Sequence, residues 1–515
     1  MLKSVFLPYL LTCAAAFGQG LWYSRLAPGA AAPSPRADGV IVYDPQDRRL
    51  WMFGGLDNGP RNDLWVYSIQ RQEWSEVTPS GTKPPARFGH TMILDPARRR
   101  LVVFGGQAGG FFSDTWAYNL ERNSWSQLAP DNAGPSRRYA HSGVYDAPRD
   151  RMIVSHGFTG AGRFDDTWAF DLAGERWTDI SPSSGRPLRR CLHHAVVDPA
   201  NNQMLLYGGC ASGFGPCPLG DLWSFDLLTH RWSERSGGNQ PAPRQHYGMA
   251  FDSRRSRLVL FGGGGDRGDL NDTWEYDNGW SQIAPEGDTP SPRSRHQAAY
   301  APDLGVLFFF GGRSLAGSGN ELFALVPRPR LAAVRNAFSG QGGAVAPGEI
   351  VSLYGETLGS DGVSVTASGI PGKVLFASGA QINAQVPPSL APLTEADFVV
   401  TYLGAASAPE RVRVVASHPG IFPRVFNQDG STNSGTNAAS LGSIVVMFAT
   451  GVAEPVELRI GGRLAELLYA GPAPEAPGVF QINARVPEGL GPDDSVPVVL
   501  IAAGVESPEV TLAVR

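Results

Sequence analysis

The chain has 515 residues and a formal net charge of −5, with 63 glycines, 42 prolines and 18% charged residues. A net charge this small argues against a protein that binds nucleic acid or an anionic membrane, which would be clearly basic. The aromatic content of 10% argues against a disordered chain, and the abundant glycine and proline are typical of an all-β protein with many turns.

The first eighteen residues, MLKSVFLPYLLTCAAAFG, are predicted to be a secretory signal peptide, residues 1–18. Lys3 supplies a positive charge, an apolar run follows from Val5 to Phe17, and small residues precede Gln19. The alternatives are a buried N-terminal helix or a lipoprotein signal that ends at Cys13. No later stretch is apolar for the length of a membrane span. We therefore expect an exported protein, secreted, periplasmic or at the cell surface, without a transmembrane segment.

The sequence then repeats about every fifty residues, in six units. In five units a strand-like apolar run ends in two glycines, and the third unit has His156-Gly157 instead. An arginine lies eighteen residues before each pair, an acidic–x–aromatic step follows the pair, and a second tryptophan follows in five units. Each unit is predicted to form four short strands. One such sheet cannot bury both of its faces, so we expect six sheets stacked around a ring.

The glycine pair, the two spaced tryptophans and the preceding arginine resemble kelch repeats. The resemblance covers roughly residues 21–326 and implies a β-propeller, similar to the central domain of galactose oxidase and to the kelch propellers used for binding. We therefore expect a six-bladed kelch β-propeller over residues 19–326. The glycine pair suits a position that a neighbouring backbone approaches closely.

Residues 21–28, LWYSRLAP, are predicted to supply a strand that the sixth unit lacks. Their distance to the next repeated arginine, eight residues from Pro28 to Arg36, recurs in other units. The strand Tyr23–Leu26 should then pair with Glu321–Leu325 and close the ring. Tyr23 fits the spacing of the second tryptophan, whereas Trp22 fits its residue type.

Residues 331–515 contain a second repeat. QINAQVP (Gln381–Pro387) returns 100 residues later as QINARVP (Gln481–Pro487). Alternating apolar runs predict strands, and two immunoglobulin-like β-sandwiches, residues 331–417 and 418–515, are expected. The region resembles a C-terminal domain of secreted acidobacterial proteins, through NAF…APGEIVSLYG, the QINAxVP strings and HPGIF. That resemblance implies an extracellular accessory module of unknown activity.

Three cysteines follow the signal peptide. Cys210 and Cys217 bracket the short loop ASGFGP, so a disulfide between them is expected in an oxidising compartment. Cys191 bridged to either of them is the alternative. No metal site is expected, because no CxxC occurs and only His193 and His194 lie nearby in the sequence.

The kelch resemblance places the repeated arginine near the mouth of the central channel. Six guanidinium groups there could bind carboxylates, including those of sugar acids. The alternative is that each arginine pairs locally with an acidic residue, which its presence in every unit favours. Further cations, Arg137, Arg189 and Arg295, occur in three units only. The candidate ligand-binding residues are Arg36, Arg87, Arg138, Arg190, Arg244 and Arg293.

Catalytic motifs are weak. Galactose oxidase uses copper held by histidines and tyrosines, but no adjacent Tyr-His pair occurs in this chain, and no motif pairs Cys191 with a tyrosine. The repeated His90, His141, His193 and His296 are interpreted as structural. Asp165, Asp166, Asp221 and Asp272 are candidate hydrolytic groups by residue type alone. No catalytic residue, cofactor or metal is predicted.

These patterns favour an exported, monomeric binding protein. Its propeller would present loops and the channel mouth to a carbohydrate or protein ligand, and the sandwiches would be accessory. An extracellular enzyme acting on sugars, such as an oxidase, a sugar-acid epimerase or a glycan-processing enzyme, is the first alternative. A structural envelope component is the second.

Overall fold

The computed structural model describes residues 21–26, 31–235, 237–360, 362–474 and 476–515. The predicted signal peptide lies outside these residues. The described chain is built of strands and two short 3-10 helices, Ala147–Arg149 and Pro388–Leu390, so the all-β prediction is confirmed. In this part of the chain no helix has the length and apolar character that a membrane span requires. The chain divides into two compact units, the first ending at Arg328 and the second comprising Pro329–Arg515 together with the short segment Ser68–Gln72.

Within the described residues, the first unit contains six sheets in which four strands pair antiparallel, one sheet for each sequence repeat. The first and second sheets contain the strands Val40–Asp44, Arg49–Leu56, Pro60–Ser68 and Glu73–Val77, and Thr91–Asp95, Arg100–Phe104, Thr115–Asn119 and Ser124–Ala129. The third and fourth contain Ser142–Asp146, Arg151–Ser155, Thr167–Asp171 and Arg176–Asp179, and His194–Asp198, Gln203–Gly209, Leu219–Asp226 and Trp232–Glu234. The fifth contains Gly248–Asp252, Arg257–Gly265, Gly268–Tyr276 and Trp280–Ile283.

The sixth sheet combines the two ends of the unit. It contains Gln297–Ala301, Val306–Phe310, Leu322–Pro327 and the N-terminal strand Leu21–Leu26, with Glu286–Gly287 parallel at its edge. Leu21–Leu26 pairs antiparallel with Leu322–Pro327 and places Tyr23 opposite Leu325. The predicted pairing of the N-terminal strand is therefore confirmed. Short hairpins outside these sheets pair Phe158–Thr159 with Gly162–Arg163, and Arg313–Ser314 with Gly317–Ser318.

The aromatic residue of each fourth strand packs on an aromatic ring of the preceding sheet. In that sheet the contacted ring lies at the glycine pair or one residue before it. The centroids lie 4.7–5.7 Å apart in Trp74–Phe310, Trp125–Phe53, Trp177–Phe104, Trp232–His156 and Trp280–Tyr207. Tyr23 makes the same contact with Phe261 at 5.6 Å. Its ring is fully buried and its hydroxyl bonds Thr273 Oγ1. Tyr23 thus occupies the place of the second tryptophan.

The first strands of the six sheets form a closed ring. Each contacts the first strands of the sheets before and after it, and the strand Gln297–Ala301 contacts Val40–Asp44. These strands surround a cavity of about 500 Å³. A single four-stranded sheet cannot bury both of its faces. In this arrangement the faces are buried, because each sheet covers a face of its neighbour.

The second unit contains two hydrophobic cores, each enclosed by two sheets. The first core runs from Val334 to Val414 and the second from Ile421 to Val514, so the expected boundary at 417/418 falls between them. The first pair of sheets contains Arg330–Asn336, Ile350–Glu356, Lys373–Ala377 and Gln381–Gln385, and Ala344–Val345, Val363–Ala367, Ile370–Pro371, Glu395–Tyr402, Ala405–Ala406 and Glu410–Val414. The second pair contains Gly420–Ile421, Phe426–Asn427, Ile444–Thr450, Glu466–Pro472 and Phe480–Arg485, and Val456–Ile460, Arg463–Leu464, Asp493–Ala502, Val505–Glu506 and Val510–Val514.

Replacing Tyr23 by alanine is expected to lower the free energy of unfolding of the first unit by about 3–5 kcal/mol, because it leaves a cavity between packed aromatic rings. Chemical denaturation measures this loss. Arg25→Ala is the matched control on the same strand, since its side chain is 63% exposed, and it should change stability by less than about 0.5 kcal/mol. Equal losses in the two variants would contradict the anchoring role of Tyr23.

Candidate functional site

Each repeated arginine is buried and bonded to its own sheet. Arg87 Nη1 donates to the carbonyl oxygen of Gly105 at 2.9 Å and to Asp114 Oδ1 at 2.7 Å, and Nη2 donates to Asp114 Oδ2 at 2.9 Å. Nε donates to the carbonyl of Pro85, two residues earlier. The same carboxylate pairing occurs in Arg36–Asp63, Arg138–Asp166, Arg190–Asp221 and Arg244–Asp272.

The backbone of the same arginines bonds the preceding sheet. The N–H of Arg87 donates to the carbonyl of Arg61 at 2.8 Å, and the carbonyl of Arg87 accepts from the N–H of Gly55 at 2.9 Å. A Cβ atom on Gly54, whose φ is +64°, would lie 2.7 Å from that carbonyl oxygen. This close approach explains the glycine pair. The pattern closes between the sixth and first sheets, where the N–H of Gly312 donates to the carbonyl of Arg36.

The sixth arginine is held more loosely. Glu321 and Phe323 replace the aspartate and tryptophan of the other units, and Arg293 Nη1 lies 3.5 Å from Glu321 Oε2. The guanidinium lies over the ring of Phe323, 5.1 Å from its centroid. Burial lowers the pKa of Arg293, and the charge of Glu321 opposes this only in part.

These contacts bear on the role predicted for the six arginines. Their guanidinium groups bond carbonyl, carboxylate and hydroxyl oxygens of the protein, and among the described residues the six are absent from the lining of the central cavity. The anionic-ligand hypothesis needed several unpaired guanidinium groups that converge, and the geometry instead matches the alternative of local pairing. Asp166, Asp221 and Asp272, considered above as hydrolytic groups, are partners in the same pairs.

The paired aspartates are held in their charged form. Burial alone would raise the pKa of Asp63, but the hydrogen bonds and charge of Arg36, with a hydrogen bond from Trp65, outweigh it and lower this pKa below its ordinary value. The pKa values of Asp166, Asp221 and Asp272 are lowered in the same way by their own arginines and tryptophans.

The repeated histidines pack as neutral rings. His90, His141, His193 and His296 are buried, and each ring lies against an aromatic ring of the preceding sheet. Burial, followed by the charge of the neighbouring arginine, lowers the pKa of His141 and of His296 to about 3. Within the described chain, no group of three or more His, Cys, Asp or Glu side chains is placed to hold a metal ion.

The residues two positions after the repeated arginines form the mouth of the cavity. All six have a positive φ, between 52° and 63°. Their backbones form a closed ring of hydrogen bonds of 2.7–3.0 Å. Each N–H donates to a carbonyl in the preceding sheet: Gly89 to Asp38, Ala140 to Gly89, Leu192 to Ala140, His246 to Leu192, Arg295 to His246 and Asp38 to Arg295.

Side chains break the symmetry of this ring, because its six positions carry six different residues. Asp38 Oδ2 accepts from Arg295 Nη1 at 2.8 Å, and Asp38 Oδ1 lies 3.5 Å from His246 Nδ1. Burial would raise the pKa of Asp38, but the hydrogen bond and charge of His246 and the charge of Arg295 lower it. Arg295 stands out in the sequence as a cation that only some units carry, whereas Asp38 does not stand out. Comparing the residue two positions after each repeated arginine across the six units identifies both.

The structure bridges Cys210 and Cys217 and leaves Cys191 buried as a free thiol. The bridged loop carries Phe214, whose ring is 48% exposed. Turn hydrogen bonds from Phe214 and Gly215 to the carbonyl of Ala211 order the loop. The two cysteines make this loop recognisable in the sequence, whereas the aromatic residue between them belongs to no motif and becomes notable only through its exposure.

Phe214 belongs to a surface group of apolar and arginine side chains, called here the Phe214 patch: the exposed Leu188, Arg189 and Phe214 and the half-buried Phe158 and Arg163. Arg189 lies over the ring of Phe214 and Arg163 over that of Phe158, each with its guanidinium carbon 5.4 Å from the ring centroid. Arg163 also donates to the carbonyl of Cys210 at 3.0 Å. Leu188 is 46% exposed. Aromatic residues and arginine are the side chains enriched at the centres of protein interfaces.

The sequence of this chain was compared with protein-family models and with known proteins. Residues 19–209 and 182–330 match the model of the KLHDC2/KLHL20/DRC7 Kelch-repeats domain. The chain is 29% identical over 286 residues to the Leucine-zipper-like transcriptional regulator 1 homolog of Drosophila melanogaster, covering 51% of this chain and 28% of that protein.

Two further relatives are Kelch domain-containing protein 10 of Xenopus tropicalis and of Homo sapiens. The first is 28% identical over 232 residues, which is 42% of this chain and 54% of the relative. The second is 26% identical over 231 residues, which is 42% of this chain and 49% of the relative. The chain thus spans about half of the length of these two relatives, and a smaller share of the Drosophila protein.

Arg138→Ala is expected to lower the free energy of unfolding by about 3–5 kcal/mol, because it leaves Asp166 charged and unpaired at a half-buried position. Arg293→Ala should cost less, since the Arg293–Glu321 contact is longer. Urea denaturation of the two variants beside the wild type measures the difference. A wild-type stability for Arg138→Ala would contradict the structural role assigned to the repeated arginines.

Acid should destabilise the first unit in two stages. Buried histidines with a lowered pKa stabilise the fold fully above their unfolded pKa of about 6.5, and this contribution is lost as the pH falls toward about 3. The aspartates paired with arginine add a second loss below about pH 4, as the pH falls through their lowered pKa values. Urea midpoints measured between pH 3 and pH 8 follow both stages.

His141→Gln is the matched variant for the first stage. It should make the dependence of stability on pH below about 6.5 less steep, by up to about 1.4 kcal/mol per pH unit, because one fewer proton is taken up on unfolding. A slope equal to that of the wild type would show that His141 is already protonated in the folded chain.

Proposed function

The chain belongs to the KLHDC2/KLHL20/DRC7 Kelch-repeats domain family, and from this we propose that it is an exported binding protein whose kelch propeller takes a protein ligand on the Phe214 patch. Kelch repeats usually mediate protein interactions. In this proposal the six sheets are the six blades of the propeller, and residues 331–417 and 418–515 are two immunoglobulin-like sandwiches. The closed ring of hydrogen bonds and the two separate cores support those assignments.

The observation that carries the proposal is an exposed phenylalanine held in a disulfide-bridged loop. Phe214 is fixed by the Cys210–Cys217 bridge and by the hydrogen bonds to Ala211. A partner that buries this ring gains apolar area without first having to order the loop, so little of the binding free energy is lost. Exposed aromatic anchors of this kind dominate the energetics of protein interfaces.

The charges around the patch favour an acidic segment of the partner. Arg186 and Arg189 share one carboxylate, Asp165, at 3.6 Å from each. Arg163 donates to backbone carbonyls of the bridged loop. The positive charges of the patch therefore outnumber its carboxylates, and a partner with carboxylates beside an apolar side chain complements it.

Aromatic rings also extend from the patch toward the cavity mouth. Phe111 lies 5.9 Å from Phe158, and Phe88 lies 5.6 Å from Tyr139, which lines the cavity. Tyr139 is buried and the other three residues are half-buried. A row of several partly exposed rings favours a polypeptide over a single sugar. The carbohydrate ligand predicted for the cavity mouth therefore takes second place, supported by the mixed polar group of Asp38, His246 and Arg295.

Export is the part of the proposal that rests on the sequence of residues 1–18 and on the disulfide. Cys210 and Cys217 are bridged, and such bridges persist in oxidising compartments outside the cytosol. The mature chain isolated from the producing organism should then start at or near Gln19, as read by mass spectrometry.

The test is a capture experiment with matched variants. The immobilised full chain is incubated with the exported protein fraction of the producing organism, in its wild-type form and as Phe214→Ser and Arg189→Glu. At least one protein should be retained by the wild type and lost by both variants. With the purified partner, calorimetry should show binding weakened roughly 10- to 100-fold by Phe214→Ser, as expected for an interface anchor.

Leu315→Ser is the control, because Leu315 is fully exposed on the corresponding loop of the sixth sheet. It should retain the partner. Identical retention by all variants would refute the Phe214 patch as the binding surface. Binding on a glycan array that Phe214→Ser abolishes would instead assign the surface to carbohydrate.

A further inference from the structure

The repeated QINA strings occupy the middle of one outer sheet in each sandwich. Ile382 and Ala384 point into the first core, and Ile482 and Ala484 into the second, all with exposures of 1% or less. The residues between them therefore face outward, because successive side chains of a strand alternate between the two faces of a sheet. Both copies retain the same outward pair, Gln then Asn, although packing does not require it.

In each copy the two amides are bonded to one another. Gln381 Nε2 donates to Asn383 Oδ1 at 2.8 Å, and Gln481 Nε2 donates to Asn483 Oδ1 at 2.9 Å. This bond leaves the glutamine carbonyl oxygen as an acceptor, and it leaves the second glutamine N–H and both asparagine N–H groups as donors. Each face therefore presents donors and an acceptor side by side.

Aromatic residues flank both amide pairs at equivalent positions. In the first sandwich Tyr354 lies opposite Gln381 and Phe376 lies opposite Asn383. Tyr354 is 39% exposed and Phe376 is 52% exposed. Residues that face each other across paired strands share one side of the sheet, so the two rings and the two amides form a single surface.

The second sandwich has the same pairing of rings with amides, although Phe448 is half-buried and lies 6.0 Å from the ring of Phe426. Phe448 lies opposite Gln481 and Tyr469 lies opposite Asn483. Tyr469 is 40% exposed, and its hydroxyl donates to the carbonyl of Pro472 at 2.7 Å. The aromatic residue thus recurs on the same two neighbouring strands, although its type is exchanged between Tyr and Phe.

A β-bulge brings the second ring onto each face. The pairing shifts between Val374 and Phe376 in the first sandwich, and between Leu467 and Tyr469 in the second. An extra residue in an edge strand changes which side the following side chain occupies, and bulges are frequent beside functional sites for that reason. Two bulges at equivalent positions, each placing a ring opposite an asparagine, indicate a duplicated surface.

In the first sandwich one cation borders the centre of the surface, because Arg335 lies opposite Ser352, which lies opposite Asn383. Other charged side chains among the described residues lie at the ends: Lys373 opposite Gln385 in the first sandwich, and Arg485 paired with Glu466 at 2.8 Å in the second. Nucleic acid requires clustered cations, and the arrangement does not supply them. A neutral ligand complements such a surface.

We propose that these two surfaces, Tyr354/Phe376/Gln381/Asn383 and Phe448/Tyr469/Gln481/Asn483, each bind a neutral polysaccharide of β-linked pyranose units. The apolar C–H faces of the sugar rings lie on the exposed aromatic rings, and hydroxyl groups, which both donate and accept, bond the paired amides. A β-linked chain is extended, so consecutive sugar units can contact the two rings of one surface. The surfaces are separate from the Phe214 patch and do not depend on its function.

The test is isothermal calorimetry of the full chain with cellohexaose and chitohexaose, supported by sedimentation with insoluble cellulose and chitin. The wild type should bind at least one β-linked oligosaccharide at two sites per chain. Phe376→Ala and Tyr469→Ala should each leave one site, and the double variant should bind at least 10-fold more weakly. Phe376→Trp and Tyr469→Trp should retain binding, because they keep an aromatic face.

Val505→Ala is the control, since Val505 is 43% exposed on the other sheet of the second sandwich. Thermal melting verifies that the variants fold. Absence of saturable binding to the β-linked sugars, binding that the double variant retains, or binding to maltohexaose alone would overturn the proposal. Phe214→Ser should bind the sugars as the wild type does, so this failure is distinguishable from failure of the proposed protein-binding function.

Discussion

An arginine that bonds two sheets at once is the interaction on which the propeller depends. Its guanidinium fastens the second and third strands of its own sheet, while its backbone fastens the sheet before it. Because the group is buried, it is stable only when its donors are bonded within the protein, and four of the five N–H groups of Arg87 are bonded in this way. That requirement fixes the partner aspartate, the indole that bonds it and the glycine pair whose backbone the arginine approaches.

Much of the fold was predictable because it follows from this repetition. The spacing of arginine, glycine pair and aromatic step predicts the strands, and the missing last strand of the sixth unit predicts its replacement by a strand from residues 21–28. The candidate site was harder to predict, because its residues are not part of the repeated pattern. The repeated arginines are conspicuous in the sequence, but they pair within their own sheets. Asp38 and Phe214 each occur in only one unit, and their roles depend on neighbours that folding brings close to them.

The candidate binding residues are found by opposite criteria in the two halves of the chain. In the propeller the candidate contacts lie where the units differ, as at the six different residues around the cavity mouth. In the sandwiches they lie where two copies agree at outward positions that packing leaves unconstrained, as at Gln381 and Gln481. A search that scored only agreement or only difference between repeats would find one surface and overlook the other.

The closing strand also determines how the propeller responds to a mechanical load. Leu21 lies opposite Pro327 in the antiparallel pair, so the two ends of the propeller chain leave the sheet side by side. Tension between these ends would separate the strands one hydrogen bond after another, which resists force far less than shearing the whole pair. A propeller tethered through its C-terminal sandwiches alone keeps this seam unloaded, whereas one held at both ends would open first at the Leu21–Pro327 pair.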